Sequence, residues 1–84
     1  MDDTGGLVEV HLFAAARAAA GTDLVKVRPG TLSEVLDAAV AQVPGLAEVL
    51  PRCSYLVDEV AAKLDGVAVP AGARVDVLPP FAGG

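Results

Sequence analysis

The sequence predicts an α+β domain: a mixed sheet of four to five strands with one main helix laid across one face. Three features carry that prediction. Segments at 7–13, 23–28 and 74–78 alternate apolar and polar residues with the two-residue period of a half-buried strand. The stretch 31–43 switches to a helical period. Proline and glycine signals at 29–30, 44–45 and 70–72 punctuate the chain at turn positions. The 84 residues suffice for one small domain. A single helix has one apolar stripe to bury, so it belongs on one face of the sheet.

Residues 1–6 are polar and glycine-bearing and read as a flexible N-terminal arm; 7–79 read as the domain and 80–84 as an extended tail. Leu7 to Phe13 places Val8, Val10 and Leu12 inward and Glu9, His11 and Phe13 on the opposite face. Ala14 to Ala20 reads as a turn or a short helical bend, with Arg17 in a local capping or pairing role. Asp23 to Arg28 is a second strand with Val25 and Val27 inward, forming a hairpin of longish connection with the first. Thr31-Leu32-Ser33-Glu34 is a capping box, in which hydroxyl and carboxylate each satisfy the other residue's backbone N–H. Leu32, Val35, Leu36, Ala39, Val40 and Val43 then form one helical stripe, ended by Pro44-Gly45. Leu46 to Leu50 reads as a single turn under the helix end. Cys53 to Val57 is a third strand, and Asp58-Glu59 a turn. Residues 60–69 read as a short edge strand plus a turn. Arg74 to Leu78 is the last strand, with Val75 and Val77 inward and Arg74, Asp76 and Leu78 outward. If that strand lies beside the first, it is central.

Composition excludes several functions. The net charge is −5 and the six basic residues are scattered, which is unsuited to nucleic acid. The longest apolar stretch, Leu12 to Ala20, is broken by Arg17 and too short to span a membrane; a cytoplasmic location is expected. Cys53 is the only cysteine, so an internal disulfide or a multi-cysteine metal site is excluded, and it reads as a small buried thiol. His11 is the only histidine and reads as a solvated residue on a strand face. No base, metal cluster or phosphate loop is legible, and no bound cofactor is expected.

The chemistry concentrates in Leu78-Pro79-Pro80-Phe81-Ala82-Gly83-Gly84. Two prolines fix φ and remove ladder donors, so the last strand stops there. Phe81 is a large apolar anchor, and Ala82, Gly83 and Gly84 form a thin thread. With Gly84 as the native end, its carboxylate has no bulky neighbour. Six residues from Pro79 reach roughly 20 Å when extended, enough to enter a crevice on another protein. Composition alone reads such an end as frayed; the order of stiff pair, anchor and slim end reads as a presented carboxylate. Phe13 and Leu78, on the sheet face away from the helix, would add an apolar docking patch.

Val10-His11-Leu12-Phe13-Ala14, Arg17, Gly21-Thr22-Asp23, Thr31-Leu32 and the ending from Val75 to Gly84 resemble the ubiquitin-like sulfur carriers, nearest to the small subunit of molybdopterin synthase. The likeness covers about residues 7–84, and the Pro-Pro-x-x-Gly-Gly ending is its most specific part. Asp58 stands where that family often has Asn, and Gly72-Ala73-Arg74 where it often has Gly-Asp-Glu. The resemblance implies a β-grasp fold and a carrier role. Gly84 would be adenylylated by a separate E1-like enzyme, an adenylyltransferase and sulfurtransferase that uses ATP, and then become a thiocarboxylate. Gly83, Ala82, Phe81, Pro80, Leu78 and Phe13 would contact partners. The large synthase subunit would receive the tail, which would donate sulfur to cyclic pyranopterin monophosphate during molybdenum cofactor synthesis. The alternatives are a sulfur carrier for thiamine, cysteine or transfer-RNA thiolation, a ubiquitin-like modifier of proteins, or an interaction domain with an inert tail.

Overall fold

The computed structural model describes residues 6–80. Seven strands and two helices follow in the order β1 (Val8–Leu12), α1 (Ala14–Ala20), β2 (Leu24–Val27), β3 (Gly30–Thr31), α2 (Leu32–Gln42), β4 (Ser54–Val57), β5 (Val60–Ala62), β6 (Ala68–Val69) and β7 (Arg74–Leu78). The main sheet has the order β2-β1-β7-β4-β5. Its central pair, β1 and β7, is parallel, and the other pairs are antiparallel.

The alternation seen in the sequence sets the two faces. Val8, Val10, Leu12, Val25, Val27, Val75 and Val77 point to one side and are buried. α2 covers them with Leu32, Val35, Leu36 and Ala39. Each such aliphatic side chain contributes about 1.5–3 kcal/mol when fully buried, so this layer dominates folding. The capping box forms as the sequence predicts. Glu34 N–H donates to Thr31 Oγ1 at 3.1 Å, and Thr31 N–H donates to Glu34 Oε1 at 2.9 Å.

Three places differ from the sequence reading or choose between its alternatives, the first taking the helical one. Ala14–Ala20 is a helix, and it fills the long connection between β1 and β2. It ends on Gly21, whose φ of 80° suits glycine, and whose N–H donates to the Arg17 carbonyl at 2.9 Å. Residues 60–69 contain two short strands instead of one. β5 pairs with β4, while β6 pairs with β3 in a separate two-stranded sheet. Strands of two or three residues leave too little pattern to read. Asp76 is the third departure: expected outward, it is only 6% exposed. It does lie on the face away from the helix, but on the middle strand of five, where neighbouring side chains shield it. Arg74 Nε donates to its carboxylate at 2.6 Å.

After α2, a 3₁₀ turn over Pro44–Glu48 buries Leu46 completely. It packs so closely on α1 that a Cβ on Gly45 would collide with the Ala19 carbonyl. Gly45→Ala is therefore expected to destabilise the protein by about 1–3 kcal/mol, read as a lowered midpoint in denaturant at unchanged slope. A midpoint equal to that of the parent would contradict this packing.

Candidate functional site

β7 is held on both sides, by β1 and by β4. Val75, Asp76 and Val77 are buried and Leu78 is half-buried. At its end Leu78 lies opposite Ser54 of β4, and Phe13 N–H donates to the Val77 carbonyl at 3.3 Å. Pro79 and Pro80 follow with no N–H to continue the ladder. Pro79 is half-buried and Pro80 exposed. The chain thus leaves the sheet from its most constrained strand.

The exit is an apolar groove of about 470 Å³ lined by Phe13, Ala14, Ser54, Leu78, Pro79 and Pro80. A smaller hollow of about 120 Å³ shares Pro79 and Pro80 with Ala15, Val49 and Arg52. The groove brings together three predicted contact residues, Phe13, Leu78 and Pro80. The other predicted residues, Phe81, Ala82, Gly83 and Gly84, lie outside the described residues.

Phe13 stands out because of the turn that follows it. It is the residue before α1, in extended conformation, and its carbonyl accepts from Ala16 and Arg17 N–H at 3.0 and 3.3 Å. Ala14 takes φ 49°, a left-handed conformation that costs a non-glycine residue about 1–2 kcal/mol. The aromatic ring is left 38% exposed at the groove wall. Ser54 and Pro79 were not predicted. No sequence signal marks Ser54: it reaches the groove because it sits directly opposite Leu78 in the β4–β7 register.

Tyr55 Oη donates to the Leu50 carbonyl at 2.7 Å, and Cys53 Sγ to the Val49 carbonyl at 3.2 Å. Burial pushes the Cys53 thiol above its ordinary pKa. Burial, and secondarily the charge of an ionised Cys53, does the same to the Tyr55 phenol. A thiol held protonated is a poor nucleophile. His11, half-buried, shares its Nε2 with Glu9 Oε1 at 3.0 Å and is less solvated than expected. Arg17 is exposed, and among the described residues its guanidinium makes no ion pair or hydrogen bond, so the expected local pairing is not seen. Among the described residues no cluster of three or more metal-ligating side chains occurs, and no helix is long and apolar enough to cross a membrane.

A five-stranded mixed sheet gripped by one helix, with parallel first and last strands, is the ubiquitin-like β-grasp fold. The particular branch follows from sequence: the ThiS family profile matches residues 10–84, and the chain belongs to the ThiS family, of MoaD/ThiS type. No curated protein matches the chain by sequence. Among solved structures it is similar to small archaeal modifier protein 1 of Haloferax volcanii, at 32% identity and TM-score 0.84, covering 94% of this chain and 100% of that one. It is also similar to small archaeal modifier protein 1 of Methanosarcina acetivorans, at 24% identity, TM-score 0.76 and coverage of 94% and 97%. A chain from the complex of subunits 1 and 2 of the molybdopterin-converting factor of Helicobacter pylori shares the fold at 23% identity and TM-score 0.69, with 93% and 99% covered.

The raised thiol and phenol values set an alkaline limit. Both groups favour the protonated, neutral form in the folded state. That contribution is complete below their unfolded values and is lost as pH rises through the folded ones. Denaturant midpoints are expected to fall as pH climbs past the ordinary thiol range, with a shallower fall in Cys53→Ala. A midpoint insensitive to alkaline pH would contradict the burial of these groups.

Proposed function

We propose that this chain is a sulfur carrier that acts as the small subunit of a molybdopterin synthase, with Gly84 as the carrying residue. The observation that carries this reading is the family match, which runs through the glycine pair to residue 84. It is supported by an exit groove at the end of a clamped central strand.

The chemistry follows from what the end of the chain can and cannot do. A carboxylate is a poor acyl electrophile. An E1-like enzyme joins the Gly84 carboxylate to AMP from ATP, releasing pyrophosphate and creating a good leaving group. Sulfide-level sulfur, supplied by a donor of that enzyme system, attacks the acyl carbon; the C–S bond forms and AMP leaves. The thiocarboxylate is a soft nucleophile on a tether, and tethering raises its effective concentration inside a partner's site. Glycines permit the narrow entry, since they carry no Cβ. The receiving partner is the large synthase subunit. The solved complex of subunits 1 and 2 from Helicobacter pylori supports a partner of this kind. The sulfur acceptor is cyclic pyranopterin monophosphate, and the partners supply the catalytic groups.

A second reading is favoured by one observation: the likeness at 32% identity to small archaeal modifier protein 1. In it Gly84 would form an isopeptide bond with lysines of other proteins.

Intact-mass analysis of protein from cells holding the activating enzyme is expected to show one oxygen exchanged for sulfur, and deletion of Gly84 to abolish transfer with the fold unchanged. Persistent absence of the thiocarboxylate, with higher-mass lysine adducts instead, would favour the modifier. Phe13→Asp is expected to weaken binding of the large subunit by about tenfold or more, measured by calorimetry with the circular dichroism spectrum unchanged. Unaltered affinity would remove Phe13 from the interface.

A further inference from the structure

The main sheet has two edges, and they are finished differently. At β2 the Gln42 side chain, reaching from the end of α2, donates to the Lys26 carbonyl at 2.8 Å. No hydrogen bond from outside the hairpin reaches the outer edge of β5 among the described residues. The backbone groups that β5 presents follow from register. Val57 and Val60 flank a two-residue turn, Asp58-Glu59, with positive φ at both positions. That pair is hydrogen-bonded in such a hairpin, and the next, Leu56 with Ala61, is not. The Asp58 N–H points the other way, to the Arg74 carbonyl at 2.8 Å, in agreement with this parity. The N–H and C=O of Ala61 therefore point out of the sheet, as do those of Lys63 by continued alternation.

The edge is also apolar. Val60 is 67% and Leu64 43% exposed, and with Phe13 they are the exposed large hydrophobic side chains among the described residues. Neither proline nor bulge interrupts 60–62. Open apolar edges of this kind are templates for strand pairing.

We propose that this edge pairs antiparallel with the same edge of a second copy, about a two-fold axis at Ala62. Side chains alternate faces, so a two-fold axis normal to the sheet requires a register in which one residue lies opposite its own counterpart. Centred on Ala62, the outward groups of Ala61 meet those of Lys63 of the second copy, giving one hydrogen-bonded pair on each side of the axis. Val60 lies opposite Leu64 of the second copy at a non-hydrogen-bonded position, where side chains approach most closely. The small Ala62 pair at the centre lets the backbones meet. On the other face Lys63 lies opposite Ala61 of the second copy, with Glu59 of that copy on one diagonal, within reach of its long side chain, and Lys63 on the other. Glu59 and Asp65 come opposite only at the ends, where both chains have entered turns. Centring on Ala61 instead would place Leu64 opposite Asp58 and lose the apolar contact. An interface this short makes a weak, reversible dimer. The pairing is independent of the carrier role.

Sedimentation and amide spectra of the full chain across a concentration series test it. The weight-average mass is expected to rise above the monomer with concentration, with shifts centred on Ala61, Lys63, Val60 and Leu64. Lys63→Glu is expected to weaken association about three- to tenfold, and adding Glu59→Lys to restore it. Spectra of dilute samples confirm that each variant is folded. A mass that stays monomeric up to the solubility limit overturns the proposal. So do concentration-dependent shifts centred on Phe13 and Leu78, or failure of the charge swap to rescue. Protection of the Ala61 amide only when a different protein is added assigns the edge to a foreign strand and also overturns it.

Discussion

The structure depends on the clamping of β7 between β1 and β4. Val75 and Val77 are fully buried beneath α2, and the strand is hydrogen-bonded along both sides. Removing β7 would open the core and split the sheet at once. The last strand described is thus held on both sides, and Pro79 follows directly from it. The two prolines end the ladder there because they have no N–H to offer it.

An apolar groove lies at the end of that strand. The left-handed turn at Ala14 leaves Phe13 outside the core, beside Leu78 and Pro79. α1 and the 3₁₀ turn at Gly45 lock together with no room for a side chain between them. Cys53 and Tyr55, the reactive side chains nearest this end of β4, are tied to backbone carbonyls and held neutral by burial. Both hydrogen bonds tie the start of β4 to the turns that precede it.

The parts legible in the sequence were those in which a long pattern repeats. Val8-Val10-Leu12 and Val75-Val77 alternate cleanly because each strand has one buried face, and the stripe from Leu32 to Ala39 follows a capping box whose two hydrogen bonds are local. The parts that were not legible are short or set by distant neighbours. Ala68–Val69 becomes a strand only because Gly30–Thr31 lies beside it, with Thr31 opposite Ala68 across a separation far beyond any local pattern. The polar Asp76 reads as solvent-facing until the flanking strands and Arg74 are in place. At the site, Phe13, Leu78 and Pro80 could be named because large apolar and proline residues at a strand end are conspicuous. Ser54 carries no such signal, and only the β4–β7 register brings it to the groove.

The proposal at the centre of this account is that the clamped end of β7 serves to deliver a sulfur-loaded tail to a partner. Inserting glycines between Leu78 and Pro79 tests it most directly, since the domain and the terminal residues are both retained while the aim is lost. Sulfur transfer from the thiocarboxylated variant to the pterin precursor, followed in single turnover with the large subunit, is the measurement. The account predicts a markedly slower transfer with an unchanged denaturation midpoint. Transfer at the parent rate would contradict it, because the rigid exit would then have no part in delivery.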